Sequence, residues 1–413
     1  MIEGLPPGFI LILGGLVVPF LRGRTQAVAA AVLPALGFAQ LLLLEPGTYL
    51  HVQMFDYQLT LVRVDKLSLV FGYVFHISAF LGAVYALRVR DGVQHVATLI
   101  YVGSAIAAVF AGDLITLFIY WELTAVASVF LIWASRTERA YRAGMRYLII
   151  QVGSGVVLLA GVILHVSATG SLEFGKLIGD DGLLRSASTG VLLIFLAFGI
   201  KSAFPLLHNW LQDSYPESTP TGTLFLSIFT TKMAIYALAR GFPGTESLIW
   251  IGAAMTAFPI FYAVIENDLR RVLTYSLNNQ LGFMVVGIGI GTEMALNGTA
   301  SYAFANIIFE GLLFMAMGAV LLRTGTCKGS ELGGLYKSMP ITTSLCIVGA
   351  ASISAFPFLS GFVTKSLVLE ETAGAHHTVA WLVLLFASAG VFHHSGIKIP
   401  YFAFFAHDSG IRV

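Results

Sequence analysis

The chain has 413 residues, 57% of them hydrophobic and 11% charged, with a mean hydropathy of +0.84. Soluble domains carry about 25% charged residues, so this composition belongs to a polytopic membrane protein. A formal net charge of +1 leaves no basic surplus for a polyanion, which excludes nucleic acid as a partner.

The N-terminal stretch MIEGLPPGFILILGGLVVPF has no Lys or Arg ahead of its apolar run and no small-residue cleavage site, and reads as a retained first span rather than a signal peptide. At about 20 apolar residues per bilayer crossing, thirteen spans are predicted. They lie near 4–22, 26–44, 66–88, 93–111, 113–134, 140–168, 189–214, 219–240, 246–265, 270–290, 295–322, 340–370 and 378–405. Residues 45–65 alternate polar with apolar behind a Pro-Gly pair and read as a short extramembrane hairpin. Residues 170–188 read as an interfacial amphipathic piece, and 406–413, directly after an apolar segment, as a truncated C terminus. Cys327 and Cys346 have neither metal nor disulfide spacing and read as packing residues.

Thirteen spans fix the orientation. Loops after odd-numbered spans hold fourteen basic residues: Arg22, Arg24, Arg88, Arg90, Arg136, Arg139, Arg142, Arg146, Arg270, Arg271, Arg323, Lys328, Lys337 and Arg412. Loops after even-numbered spans hold five: Arg63, Lys66, Lys176, Arg185 and Arg240. The positive-inside rule then puts the N terminus outside and the C terminus in the cytoplasm. Four of the 23 basic residues remain, Lys201, Lys232, Lys365 and Lys398, and all fall inside predicted spans. A cation at mid-bilayer costs about 2.5–3.5 kcal/mol even on the lenient insertion scale, so such residues face a protein interior or a water-filled path.

Glu122, in FIYWELTAVASVF, lies in the middle of the fifth span. Burial penalises a charged form and an opposite charge favours it, so a buried carboxylate and lysine couple their protonation. Lys201 precedes Pro205 in GIKSAFPLLHNWLQDSYPES. A proline inside a helix removes a backbone hydrogen bond, and membrane helices are broken where the freed backbone lines a cavity or an ion site. Lys201 is thus a candidate proton carrier, with Lys232 on the next span as its successor and His208 as a possible relay between them. Glu310, Lys365 and Lys398 repeat the theme in the second half, where Lys398 stands two residues before Pro400 and implies a further interruption. The adjacent His393 and His394 point to different helix faces with no acid nearby in sequence, so no metal site is expected.

The tetrad SAFP occurs at Ser202–Pro205 and again at Ser354–Pro357, on spans seven and twelve. Five spans apart, the copies run in opposite directions, which predicts an inverted repeat. The expected organisation is N-terminal spans and hairpin over 1–92, a first five-helix unit over 93–240 and a second over 246–405, each broken at its fourth helix, by Pro205 and Pro357.

Together, YWELT, GIKSAFPLLHNWLQDSYPESTPTGT, TTKMAIYALAR, ENDLRRVLTYSLNNQLGFMVVGIG and AFPFLSGFVTKSLVL resemble the proton-translocating antiporter-like subunits shared by respiratory complex I and the Mrp-type multisubunit cation/proton antiporters. The likeness covers nearly the whole chain and leans toward the Mrp D subunit. It implies that Glu122 pairs with Lys201, that Lys232 leads to the second half, and that Lys365 serves the second half-channel. It also implies an all-α fold in the cytoplasmic membrane, other membrane subunits as partners, exchange of Na+ or another monovalent cation for protons, and no cofactor or redox chemistry in this chain. Two departures stand out: Asn306 and Glu310 occupy the eleventh span where many relatives place a basic residue, and the family commonly has a fourteenth span. The other readings are a membrane-arm subunit of complex I or of a membrane-bound hydrogenase, and a coupling subunit for inorganic-carbon uptake.

Overall fold

Helix initiation follows the cap residues in the sequence. The computed structural model describes residues 5–411; Gly4, which opens the first predicted span, and Arg412, among the loop cations, lie outside them. The described elements are α1 (Phe9–Val17), α2 (Arg24–Leu42), β1 (Gly47–Met54), β2 (Tyr57–Val64), α3 (Lys66–Tyr85), α4 (Gly92–Val109), α5 (Leu114–Trp133), α6 (Glu138–Thr169), α7 (Thr189–Lys201), α8 (Asn209–Ser214), α9 (Pro220–Gly241), α10 (Glu246–Ile265), α11 (Leu269–Ile290), α12 (Glu293–Thr324), α13 (Pro340–Ile353), α14 (Ser360–Gly374) and α15 (Thr378–Val391). Asp65, Asp91, Asp113, Thr137, Ser188, Asp268 and Thr292 each accept a backbone N–H at the start of the helix that follows. Each satisfies a donor that the first helical turn cannot pair.

Among the described residues, nine helical segments are long and apolar enough to cross a membrane: α2 to α6, α9, α10, α12 and the run Thr378–Phe405. The other four predicted spans are helical too. The first is shortened to α1 and a 3₁₀ turn at Val18–Phe20. The tenth, α11, buries Asn278, Asn279 and Gln280 and is the more polar for it. Spans seven and twelve are broken into α7 with α8 and α13 with α14. The protein is a multi-pass all-α membrane protein.

Three local expectations are refined. The hairpin is present, with Phe55 and Asp56 turning β1 into β2 in the register Met54↔Tyr57 to Gly47↔Val64. Residues 170–188 form an irregular loop with one 3₁₀ turn at Leu184–Ser186, pinned by buried Leu172, Phe174 and Ile178. Near Lys398 and Pro400 the last span is not cut but widened into π-helical turns at Phe392–Lys398 and Tyr401–Phe405. The widening tolerates Pro400 because an i→i+5 pattern relocates the bonds that the ring disrupts.

The chain divides into two compact units, Met1–Ala203 with Ile228–Pro243 and Phe204–Ser227 with Gly244–Val413. In the first unit the hairpin docks on the α4–α5 turn, where Gly112 N–H donates to Thr60 O at 3.0 Å and Arg63 N–H to Phe110 O at 2.7 Å. In the second unit α10 and α11 cross closely, because a Cβ on Gly252 would stand 2.7 Å from Gly282 O. Small residues let membrane helices approach at backbone distance.

Two segments of the chain share a local grammar. Helices α6 and α12 are both 32 residues long, both capped by a threonine and both ended by a glycine in the left-handed region, Gly170 and Gly325. Ahead of them, Asp113 and Asp268 cap α5 and α11 and form isolated bridges with Glu173 and Lys328. At the breaks, Ala203 (φ 60°) and Leu206 (φ 69°) match Ala355 (φ 57°) and Phe358 (φ 69°). Left-handed conformations cost an L-residue about 1 kcal/mol or more, so four such residues at the same offsets around two SAFP tetrads are an encoded turn.

An ion cluster fastens the hairpin to the end of α9. Asp65 caps α3 through Ser68 N–H, pairs with Arg240 at 2.8 Å and lies 3.7 Å from Arg63. Partial burial alone would raise the Asp65 carboxyl; the Arg240 guanidinium, the Ser68 N–H and Arg63 outweigh it and hold the carboxyl below its ordinary value. A depressed pKa contributes stability above the unfolded value of about 3.9 that is lost as pH falls through the folded value. Asp65→Ala removes a cap worth about 1 kcal/mol and strips Arg240 of its carboxylate, so the apparent Tm in detergent should fall by several degrees at pH 7. The gap between variant and parent should close below about pH 4, and a pH-independent gap would remove the cluster from the account.

Candidate functional site

Within the first unit, the chemistry gathers where α7 ends. Lys201 is its last residue and is fully buried. Its ammonium donates to Trp121 O at 2.8 Å and to Thr124 Oγ1 at 3.2 Å, and lies 4.4 Å from the centre of the Trp121 ring. All three contacts come from one turn of α5, the turn that carries Glu122. The ammonium is therefore held by a carbonyl, a hydroxyl and an aromatic face, while Glu122 acts on it through space as its electrostatic partner. The sequence marked the pair but not the ligands; Thr124 was legible only as the last letter of YWELT.

Glu122 leans on α6. A Cβ added to Gly155 would overlap Glu122 Oε1, so the absence of a side chain at 155 creates the space for the carboxylate. Oε1 itself is buried without a hydrogen-bond partner. Burying one unsatisfied acceptor costs roughly 1–3 kcal/mol, which leaves this group energetically ready to take a proton or a water.

Lys232 is fully buried in α9. Two residues before it, Thr230 exchanges hydrogen bonds with Tyr101, Oγ1 at 2.6 Å and N–H to the phenol at 3.0 Å. Tyr147 bonds Ser128 at 2.8 Å, so buried hydroxyls tie α4 to α9 and α5 to α6 within this unit.

The second unit holds its own lysine at its own break. Lys365, 1% exposed on α14, donates to Ile353 O at 2.8 Å and lies over the Phe283 ring at 5.1 Å. Ile353 immediately precedes Ser354, the position that Lys201 holds ahead of Ser202. One lysine thus belongs to the helix that ends, and the other reaches back to the carbonyl of the residue that ends it. Glu310, buried on α12, is the electrostatic partner of Lys365, a pairing the sequence does not mark, as Glu122 is of Lys201.

The remaining candidates separate. His208 lies against Phe258, with ring centres 4.6 Å apart and planes tilted by 57°, and lines a cavity of about 560 Å³ with Gln212, Asp213, Tyr262 and Tyr275. Lys398 donates to Ala263 O at 3.0 Å and Val264 O at 2.8 Å, and also to Glu266 O. These are carbonyls at the C-terminal end of α10, so Lys398 caps a helix as a basic residue does at the negative end of its dipole. His394, set aside in the sequence as half of a pair without an acid, is fully buried; no periodicity signals this, since the π turn rotates the face it presents.

Residues 111–393 match the family model described as NADH:quinone oxidoreductase/Mrp antiporter, TM. The D subunit of the Na(+)/H(+) antiporter of Alkalihalophilus pseudofirmus is 33% identical over 73% of this chain and 63% of the relative. The N subunit of the NADH-quinone oxidoreductase of Desulforudis audaxviator is 32% identical over 70% of this chain and 61% of the relative. The chain thus spans less than two thirds of the length of these relatives. In three dimensions it superposes on a chain of the Mrp complex from Dietzia with a TM-score of 0.87 at 22% identity, covering 98% of this chain and 80% of that one. A chain of the archaeal membrane-bound sulfane sulfur reductase gives 0.88 at 21% identity, covering 98% and 71%. The chain belongs to the NADH:quinone oxidoreductase/Mrp antiporter transmembrane family.

Proposed function

We propose that this chain is a proton-conducting membrane subunit of a multisubunit antiporter that exchanges Na+ or another monovalent cation for protons. The observation that carries the reading is Lys201, fully buried at a helix break and held by Trp121 O, Thr124 and the nearby Glu122 charge. A lysine with neutral ligands can exist with or without its proton, because among the described residues no direct carboxylate contact locks the ammonium. Protonation of Glu122 removes the charge that favours the ammonium, and the proton on Lys201 passes toward Lys232. Glu310 and Lys365 repeat the couple. His208 serves as a relay at its own cavity, and Lys398 as a helix cap beside the path.

The matching features of α5–α6 and α11–α12 and of the two SAFP breaks support two inverted repeats, 93–240 and 246–405. Fourteen loop cations after odd-numbered spans against five support a cytoplasmic-membrane location with the N terminus outside. Other membrane subunits are its partners, as the names of its relatives and of the similar structures suggest. A second reading, a subunit of a quinone-linked proton pump, draws on the 32% identity to the quinone oxidoreductase relative.

Two experiments test this reading. In vesicles containing the assembled complex, Lys201→Ala should lower cation-driven proton flux by about tenfold or more; an unmodified rate removes Lys201 from the path. Flux that instead requires quinone turnover selects the second reading. Gly155→Ala should reproduce much of the loss seen with Glu122→Gln, since displacing a reacting group by about 1 Å can cost up to 10²-fold. Normal flux in Gly155→Ala would show that the carboxylate position is immaterial.

A further inference from the structure

Within the first unit, α4 and α5 wall an apolar groove of about 540 Å³. The walls are Val93, Val96 and Ile100 of α4 and Leu123, Val126 and Phe130 of α5. Both triplets have the i, i+3, i+7 spacing that puts side chains on one helix face. At about 1.5 Å per residue each wall is about 10 Å long, a third of a hydrocarbon core of about 30 Å. Val93, Val126 and Phe130 are exposed, so the groove opens away from the protein.

One end of the groove is basic. Pro19, Gln26 and Gly92 line it there, where α1 turns into α2 and α3 into α4. Gln26 donates to Val18 O at 3.3 Å, and a Cβ on Gly92 would stand 2.8 Å from Gln26 Nε2, so the starts of α2 and α4 meet. Arg24 and Arg90 each stand two residues from a lining residue, with Arg22 and Arg88 close behind. All four are exposed. Asp91, the one acid of these two turns, is taken by Arg136 at 3.1 Å. Among the described residues no carboxylate pairs with the four arginines. Helix α2 adds to the positive field, because its N-cap Gly23 has no side chain to satisfy the first N–H groups.

The other end stops short. At Ile100 the groove meets α1, where a Cβ on Gly15 would stand 3.0 Å from the isoleucine side chain. A ligand that matches both ends has an anionic head and one apolar tail. A partner helix matches neither, since it is about 10–12 Å wide, crosses the full hydrocarbon thickness and brings no anion to the arginines.

We propose that this groove binds one anionic glycerophospholipid, with an acyl chain between α4 and α5 and the phosphate among Arg22, Arg24, Arg88 and Arg90. The planar guanidinium matches phosphate oxygens in pairs, and basic pockets at the ends of membrane helices take lipid headgroups. The chain ends at Leu123, next in sequence to Glu122 and on the α5 turn whose Trp121 O and Thr124 hold Lys201. Lipid binding here does not depend on whether that lysine carries protons.

The test is native mass spectrometry of the assembled complex in detergent, titrated with phosphatidylglycerol or with phosphatidylcholine. The parent should retain one phosphatidylglycerol that Arg24→Gln/Arg90→Gln binds about tenfold more weakly or worse. Val96→Trp, which fills the groove and leaves the arginines in place, should lose the same molecule; should it fail to assemble, Val126→Trp at an exposed position replaces it. Equal phosphatidylglycerol counts in parent and variants overturn the site. Loss in the arginine variant alone overturns the groove as the seat of the chain, and equal retention of phosphatidylcholine overturns the anionic head. Loss of a companion subunit instead of a lipid from the tryptophan variant gives the groove to a partner helix and overturns the proposal.

Discussion

An ammonium taken out of water must be given acceptors, and two interior lysines of this chain receive them at helix breaks. The desolvation penalty of a lone buried cation is several kcal/mol, larger than any single packing contact can offset. Lys365 meets it with Ile353 O, a carbonyl left over because α13 ends there. Lys201 meets it differently, from α5, where Trp121 O and Thr124 converge with an aromatic face. Both solutions depend on the chain stopping a helix in the membrane interior, and so on the SAFP turn with its left-handed alanine and the left-handed residue after proline.

That dependence explains how far the sequence could be read. A proline in an apolar run, a lysine near it and the same tetrad five spans later are visible as letters, and each coincides with a break in the structure. The hairpin was legible because Pro-Gly and alternation are local. The contents of 170–188 were not, since its conformation is set by Leu172, Phe174 and Ile178 packing into the unit and by the bridge from Asp113 to Glu173. Long-range choices of this kind leave no periodic trace.

The lysines show the same limit more sharply. Four residues of one type, all in predicted spans, carry no internal mark of what holds each one in place. Geometry separates them: Lys398 reaches the last carbonyls of α10, whereas Lys201 and Lys365 lie over aromatic rings near acids. Gly155 belongs with these missed features. As a letter it is one glycine among 43, and only its approach to Glu122 gives it a consequence.

The electrostatics also bear on which ion each couple can hold. An alkali cation brought beside a charged lysine meets repulsion that the low-dielectric surroundings magnify, and it needs several oxygen ligands at once. Around Lys201 the described contacts provide one carbonyl and one hydroxyl, both already engaged by the ammonium. A proton has the opposite requirement, a single lone pair at hydrogen-bond distance. On the proposed reading, such a couple would favour a proton over an alkali cation. The constraint is the one that shapes the fold: the interior charge is a lysine, and the helices are broken to accommodate it.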